Sequence, residues 1–398
     1  IFLVMIEIRI GVIGNVDSGK STLVSVLSNG ELDDGRGLAR RLILKHAHEK
    51  KSGRTSDISH AHLKIDNENY ITFIDLAGHE KYLKTTLRGL TGGYIDYVLL
   101  TIGANMGVSR MTREHISIAY ALQIPIIIVV TKIDLCNDFI YNQTISDINK
   151  MIKHYRYIGL FIVEDINDLP KSIFKKKLPF FSVSNKTGEN IDLLKNFLKK
   201  IKPKIKWDKK NKTTFSIDNK FQVNGVGLVV SGKMISGKIY KGDSLFIGPF
   251  RGKWKKVVVK SLHDNFRTFI NYLDPGNSGC LALKFIDKKF KVRNKSLKKG
   301  FILVKNNNNN SKKFIADIVI LRTHSTNIKI DYQPVINCKT ICQSAKITRM
   351  SEKYLHGGKR AIVDFEFMFN PEYIETDDIF LFREGKTRGI GKIISVIG

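Results

Sequence analysis

The sequence predicts an α/β domain, a mostly parallel sheet with flanking helices, followed by two antiparallel β-barrel domains. Three observations predict it. Apolar runs in the first half end in short polar loops that lead into helices. One of these runs, Ile124 to Val130, is almost continuously apolar, as expected of a strand buried on both faces of a parallel sheet. From Thr213 onward helical periodicity disappears, and short apolar runs are bounded by Gly, Asp and Pro.

The first element is a strand from Ile6 to Ile13. It carries Glu7 and Arg9, so it reads neither as a membrane segment nor as a cleavable leader. It runs into Gly14-Asn15-Val16-Asp17-Ser18-Gly19-Lys20-Ser21, and Thr22 to Leu27 begins a helix. Strand, glycine loop and helix start together make a phosphate cradle. The glycines let backbone N–H groups turn inward around an anion, and the helix N-terminus adds partial positive charge. Lys20 can reach the β and γ phosphates, and the Ser21 hydroxyl can ligate Mg²⁺.

Such a cradle takes ATP or GTP, so the base must be read elsewhere. Tyr70 to Ile74 reads as a strand that delivers Asp75-Leu76-Ala77-Gly78-His79. Asp75 there can hold Mg²⁺ through water, and the Gly78 N–H can meet a γ-phosphate. Ile124 to Val130 ends in Thr131-Lys132-Ile133-Asp134. The Asp134 carboxylate can accept from the guanine N1–H and exocyclic amine, a pair that adenine lacks, while the Lys132 stem packs on the base. Pro179 to Val183 leads into Ser184-Asn185-Lys186, placed to close over the base edge. Each short piece is weak alone. All four, in this order and each at a strand terminus, predict an α/β P-loop GTPase domain with GTP as substrate and Mg²⁺ as cofactor.

These residues also carry a family resemblance. The runs Gly14 to Ser21, Asp75 to His79, Thr112-Arg113-Glu114-His115, Thr131 to Asp134 and Ser184 to Lys186 resemble the translational GTPases of the elongation factor Tu and elongation factor 1-alpha superfamily. Gly30 to Gly37, Ser52 to Ser56 and Asp75 to Thr86 resemble more specifically the GTP-binding protein 1 and 2 family. The resemblance implies that His79 orients the attacking water, that Val16 shields it, and that Thr55 senses Mg²⁺ and the γ-phosphate. Two departures stand out: Ala77 replaces the usual Pro before Gly78, and Arg54-Thr55-Ser56-Asp57 replaces the usual Arg-Gly-Ile-Thr. Ser56 has the same hydroxyl chemistry as Thr55, so the switch residue stays open between the two.

With 398 residues, 42% of them apolar, the chain can build two or three domains with cores of their own. The first is expected over 1–205, ending after the amphipathic helix Ile191 to Ile201 near Pro203. Barrels are expected over 206–308 and 309–398. Gly225 to Asp243 resembles the second domain of elongation factors, and Arg388 to Ile394 resembles the closing strand of their third. Asn306 to Lys313 lacks apolar residues and reads as a surface loop or linker.

Sixty-six Lys and Arg against 37 Asp and Glu give a net charge of +29, and a polyanion is the expected partner. The competing account is a Lys- and Asn-rich composition bias spread over solvated faces. Cys136, Cys280, Cys338 and Cys342 lack zinc spacing, so they read as reduced and idle or buried. His46-Ala47-His48 and His60-Ala61-His62 flank the first switch and are expected to be solvated or RNA-facing rather than metal ligands. A cytoplasmic monomer without membrane contact is expected. The resemblance implies ribosome, tRNA or other RNA as partners, in surveillance, stalled-ribosome resolution or mRNA turnover. The alternative is a GTP-switched RNA-binding protein that controls an mRNA decay factor. An ATP-using kinase is disfavoured by Asp134 and by barrels where a substrate lid would stand.

Overall fold

The computed structural model describes residues 6–42, 58–66, 69–155, 157–165, 167, 174–207, 212–287, 301–306, 310–321, 327–384 and 386–397. Thr55 and Ser56, with Arg54, His46 and His48, lie outside the described residues. The chain divides into two compact units, one of Ile8–Ile205 and the other of Ile1–Glu7 with Lys206–Gly398.

In the first unit, strands β1 (Ile6–Gly14), β2 (Ser59–Lys64), β3 (Asn69–Asp75), β4 (Tyr97–Gly103), β5 (Ile126–Thr131), β6 (Gly159–Ile162) and β7 (Lys177–Ser182) form one sheet in the order β2-β3-β1-β4-β5-β7-β6. β1 with β4, β4 with β5, β5 with β7 and β6 with β7 run parallel, whereas β2 and β3 pair antiparallel. β4 and β5 are buried along their whole length, which explains why their sequences do not alternate. Helices α1 (Lys20–Asn29), α2 (Leu38–Arg41), α3 (Leu83–Gly92), α4 (Arg110–Ala121), α5 (Asp138–Lys153) and α6 (Ile191–Lys200) accompany the sheet. α6 buries Ile191, Leu194, Phe197 and Leu198, spaced to fall on one helical face, in the same core as Val12, Leu23, Leu99 and Val129.

In the second unit, strands Ser244–Phe250, Ile302–Val304, Thr214–Val223, Gly227–Ser236, Ser278–Phe285 and Lys253–Asp264 pair in that order, and the last returns to the first. Every described partner pair in this ring is antiparallel. Lys313–Ile320, Arg360–Phe367, Ile341–Met350, Val335–Cys338, Ile379–Glu384 and Lys386–Ile397 close a second antiparallel barrel. Its core is aromatic: the Phe314 and Phe365 rings stack at 5.2 Å, and Phe380 meets both edge-on. Closure satisfies the strand edges that an open sheet would leave exposed. The expected architecture, an α/β domain and two antiparallel barrels, is the one observed. The asparagine run expected to be loop ends in structure: Asn310–Ser311 pairs with Glu372–Tyr373, and the Asn310 amide donates to Gly252 O at 2.9 Å.

Candidate nucleotide site

Open parallel sheets bind ligands outside the carboxyl ends of their strands, and the expected site residues gather there. β1 ends at Gly14, whose φ of +151° suits glycine; a Cβ there would sit 2.3 Å from Thr101 O. Among the described residues no side chain caps α1 at Gly19, and a helix N-terminus is where an anion is favoured.

Two threonines hold this loop from beneath. Thr101 on β4 donates to Ile13 O at 3.0 Å and lies 2.9 Å from Ser18 Oγ, which donates to it. Thr131, the last residue of β5, donates to Ser18 O at 2.8 Å. Lys20 is buried, and its ammonium donates to Asn15 O at 2.6 Å. Burial pulls its pKa down to about 8, and the negative charges of Asp75 and Asp17 oppose that shift.

β3 brings Asp75 to the same place, where the Ser21 hydroxyl donates to Asp75 Oδ2 at 2.6 Å. The turn after it is held by Thr86 on α3, whose hydroxyl donates to Ala77 O at 2.6 Å. A Cβ on Gly78 would lie 2.4 Å from Lys20 Nζ and 2.6 Å from Gly14 O, so only glycine lets this turn lie against the phosphate loop. His79 follows, exposed. Its Nδ1 accepts the Lys81 N–H at 3.0 Å, and its ring meets Tyr82 edge-on with centroids 6.1 Å apart. With Nδ1 acting as acceptor, the neutral imidazole carries its proton on Nε2 and presents a donor outward.

At the base end, Lys132 takes a left-handed conformation with φ of 61°, and Asp134 sits in the short 3₁₀ turn Ile133–Leu135. The Ser184 hydroxyl donates to Asp134 Oδ1 at 2.7 Å and accepts from the backbone of Thr187 at 3.1 Å and Lys186 at 3.3 Å. One serine thus ties the loop after β7 to the carboxylate after β5. The two ends of the site meet at Gly19, where a Cβ would lie 3.1 Å from Thr131 Oγ1 and 3.5 Å from Asn185 Nδ2.

The elongation factor Tu GTP binding domain family matches residues 6–204. The chain belongs to the family of the elongation factor Tu GTP binding domain. GTP-binding protein 1 of Xenopus laevis is 38% identical over 424 residues, which cover 98% of this chain and 64% of that protein. GTP-binding protein 2 of Homo sapiens is 36% identical, with 98% of this chain and 69% of that protein covered. The chain therefore spans about two thirds of the length of these relatives. Translation elongation factor SelB from Methanococcus maripaludis, in complex with the GTP analogue GppNHp, shares the fold. Its TM-score is 0.74 at 20% identity, with 99% of this chain and 80% of that chain covered.

The residues expected at the phosphates, Asn15 to Thr22 and Gly78, and Asp75, expected at Mg²⁺, stand at the ends of β1 and β3 and the start of α1. Those expected at the base, Thr131, Lys132, Asp134, Ser184, Asn185 and Lys186, converge from β5 and β7. Sequence reasoning missed Thr101, whose signal is a threonine hydroxyl inside the apolar strand Tyr97–Gly103. It singled out His115 on α4 only as part of the run Thr112 to His115, and the structure shows the residue fully buried with no hydrogen-bond partner for either ring nitrogen among the described residues. Burial and the Lys20 charge lower its pKa to about 3, so the ring is neutral.

Proposed function

We propose that the chain binds GTP with Mg²⁺ and hydrolyses it when a ribosome or an equivalent RNA-containing partner docks, acting in ribosome-linked surveillance or mRNA turnover in the cytoplasm. One observation supports the conditional character of this reading most. His79 is exposed, and among the described residues its ring meets one backbone N–H and the edge of Tyr82, which leaves the pressing of the ring toward a γ-phosphate to a docked partner. The residues at the phosphates fit the cofactor, since a serine hydroxyl and a carboxylate, both hard oxygen donors, stand 2.6 Å apart. Ser21, and Asp75 through water, would hold Mg²⁺, with Thr55 or Ser56 completing the set, and the ion would supply positive charge opposite the phosphates. Lys20 binds and orients the phosphates, Asp134 and the Ser184 loop select guanine, and Val16 shields the attacking water.

In this reading the chain works as three domains, 1–205, 206–308 and 309–398, as a monomer with tRNA or other RNA carried by the barrels. A cleft on the first barrel is lined by Val226, Leu228 and Phe285 together with Lys260 and Lys284, a mixture of apolar and cationic groups that suits a base or acyl group attached to phosphate. SelB, named a translation elongation factor, supports the same direction by fold. The net charge of +29 also favours a second reading, a GTP-controlled RNA-binding protein that governs a decay factor.

Single-turnover GTP hydrolysis with and without ribosomes tests the first reading. Ribosomes should accelerate the parent, and His79→Ala should keep its GTP affinity while losing about 10²–10⁴-fold of the stimulated rate. Absence of acceleration in the parent would remove the ribosomal reading. Equal acceleration of both proteins would assign the water to another residue. Cross-linked RNA recovered from cells with His79→Ala separates the two readings: tRNA and ribosomal RNA support the first, mRNA alone the second.

A further inference from the structure

The turn between α1 and α2 is wound more tightly than a connection requires. The Asp33 carboxylate accepts the backbone N–H groups of Gly35 at 3.1 Å and Ala39 at 3.0 Å, and Asp34 accepts those of Arg36 at 2.7 Å and Leu38 at 3.1 Å. These bonds hold the Asp34 carboxyl below the usual carboxylate range, the Leu38 bond most strongly. The far end is fastened to α1: Ser25 donates to Ala39 O at 2.6 Å, and the Asn29 amide donates to Ser25 Oγ at 3.1 Å. The turn is thus bonded both within itself and to α1.

The turn faces the loop that follows β7. The Asp33 N–H donates to Asn185 O at 2.9 Å. Leu32 lies over Gly188, with its Cδ1 3.2 Å from where a Cβ would be, and the Lys186 stem passes 3.5 Å from the corresponding position of Gly35. Three contacts therefore converge on the five residues Ser184 to Gly188, whose Ser184 hydroxyl holds Asp134. Loops gain fixed geometry only from such neighbours, and the accuracy of a recognition site depends on that support.

We propose that the turn of residues 31–37 is a positioning element for the guanine-reading loop, with Leu32 and Asp33 setting how slowly guanine nucleotide leaves and how sharply guanine is told from hypoxanthine. This rests on the reading of the site as a guanine-nucleotide site. The physical path is short. Without Leu32 or the Asp33 carboxylate, the 184–188 loop loses its outer wall, Ser184 no longer holds Asp134 in one place, and the bond to the guanine amine weakens. Hypoxanthine has no such amine, so its binding depends less on where Asp134 stands.

The test uses the full chain, Leu32→Ala, Asp33→Ala and Asp33→Asn. Release of a fluorescent GDP analogue is followed by stopped flow, and GDP is competed against inosine diphosphate at equilibrium. Leu32→Ala and Asp33→Ala should release GDP about 5–30 times faster and should lower the preference for GDP over inosine diphosphate at least about threefold. Asp33→Asn keeps one carbonyl acceptor and should recover part of both. Leu32 is 46% exposed, so its truncation is tolerated by the fold and carries the test if Asp33→Ala melts early. Unchanged release overturns the proposal, and so does faster release of both nucleotides at an unchanged preference, which would mean general loosening. A parent that binds neither nucleotide is a different result, because it removes the guanine-nucleotide reading itself.

Discussion

The two ends of the nucleotide site are built by different means. The phosphate end is one covalent run, Gly14 to Ser21, pinned by Thr101 and Thr131 from below and covered by the Asp75–Gly78 turn. The base end is a meeting of side chains from the ends of β5 and β7 and the turn after α1, tied by single hydrogen bonds such as Ser184 to Asp134 and Asp33 N–H to Asn185 O. Phosphates are recognised by backbone donors and a charge, which any sequence of the right shape supplies. A base is recognised by a few directional acceptors, which must be held by neighbours. The phosphate end should therefore fail abruptly when its charge is removed, and the base end should fail by degrees and in a coupled way.

The largest expected effect is at the phosphates. Lys20→Ala removes the buried cation and should weaken triphosphate binding on the order of a hundredfold or more by calorimetry. Ser21→Ala should weaken it as well, but added Mg²⁺ should restore this variant and leave Lys20→Ala low. Equal rescue of both would mean that the two residues do not divide the work between charge and cation as their positions suggest.

At the base, Asp134→Asn should cost about 1.5–3 kcal/mol of GTP affinity, about tenfold to a hundredfold or somewhat more, while the charge on the phosphates is untouched. The variant should prefer xanthosine triphosphate, whose base has a carbonyl where guanine has its amine. GTP binding as tight as in the parent would break the assignment of the base end altogether.

These differences in construction decide what could be read beforehand. Gly14 to Ser21 is legible because its chemistry is contiguous, and Asp134 and Ser184 are legible because each follows an apolar strand. Thr101, Leu32 and Asp33 are not, because what they do depends on residues far away in the chain: Asp33 meets Asn185, and nothing near Asp33 announces it. The barrels show the same limit. Alternation gives the buried face of Lys313–Ile320, but not that Arg360–Phe367 and Lys386–Ile397 are its neighbours. Partner choice in a closed barrel is set by packing of Phe314, Phe365 and Phe380, which no local pattern encodes.

His115 gives a smaller effect at the phosphate end, read through stability. Its folded pKa is lowered to about 3, against about 6.5 in an unfolded chain. Between those values the unfolded state binds a proton that the folded state does not. The contribution is therefore fully present above pH 6.5 and is lost progressively as pH falls toward 3. At pH 5.5 the parent should have lost about 1 kcal/mol relative to neutral pH through this residue. Urea unfolding of parent and His115→Leu at several pH values checks it, because other groups titrate alike in both proteins. Parallel pH profiles would show that the imidazole is accessible to protons in the folded protein.

The smallest expected effect sharpens the comparison most. Ser184 touches no phosphate. Its hydroxyl gives one short bond to Asp134 and receives two longer ones from the backbone of Thr187 and Lys186. Ser184→Ala should therefore weaken GDP binding by about 1 kcal/mol, roughly fivefold, with triphosphate and diphosphate affected alike. What matters is how this loss combines with the others. If Ser184 acts by holding Asp134, the double variant Ser184→Ala with Asp134→Asn should lose clearly less than the sum of the two, because an asparagine leaves little for the hydroxyl to position. With Lys20→Ala the losses should add, since no hydrogen bond links the two residues and they serve opposite ends of the ligand. Additivity with Asp134→Asn, measured by the same calorimetry, would make Ser184 an independent base contact, and the base end would then be a set of separate readers rather than one supported carboxylate.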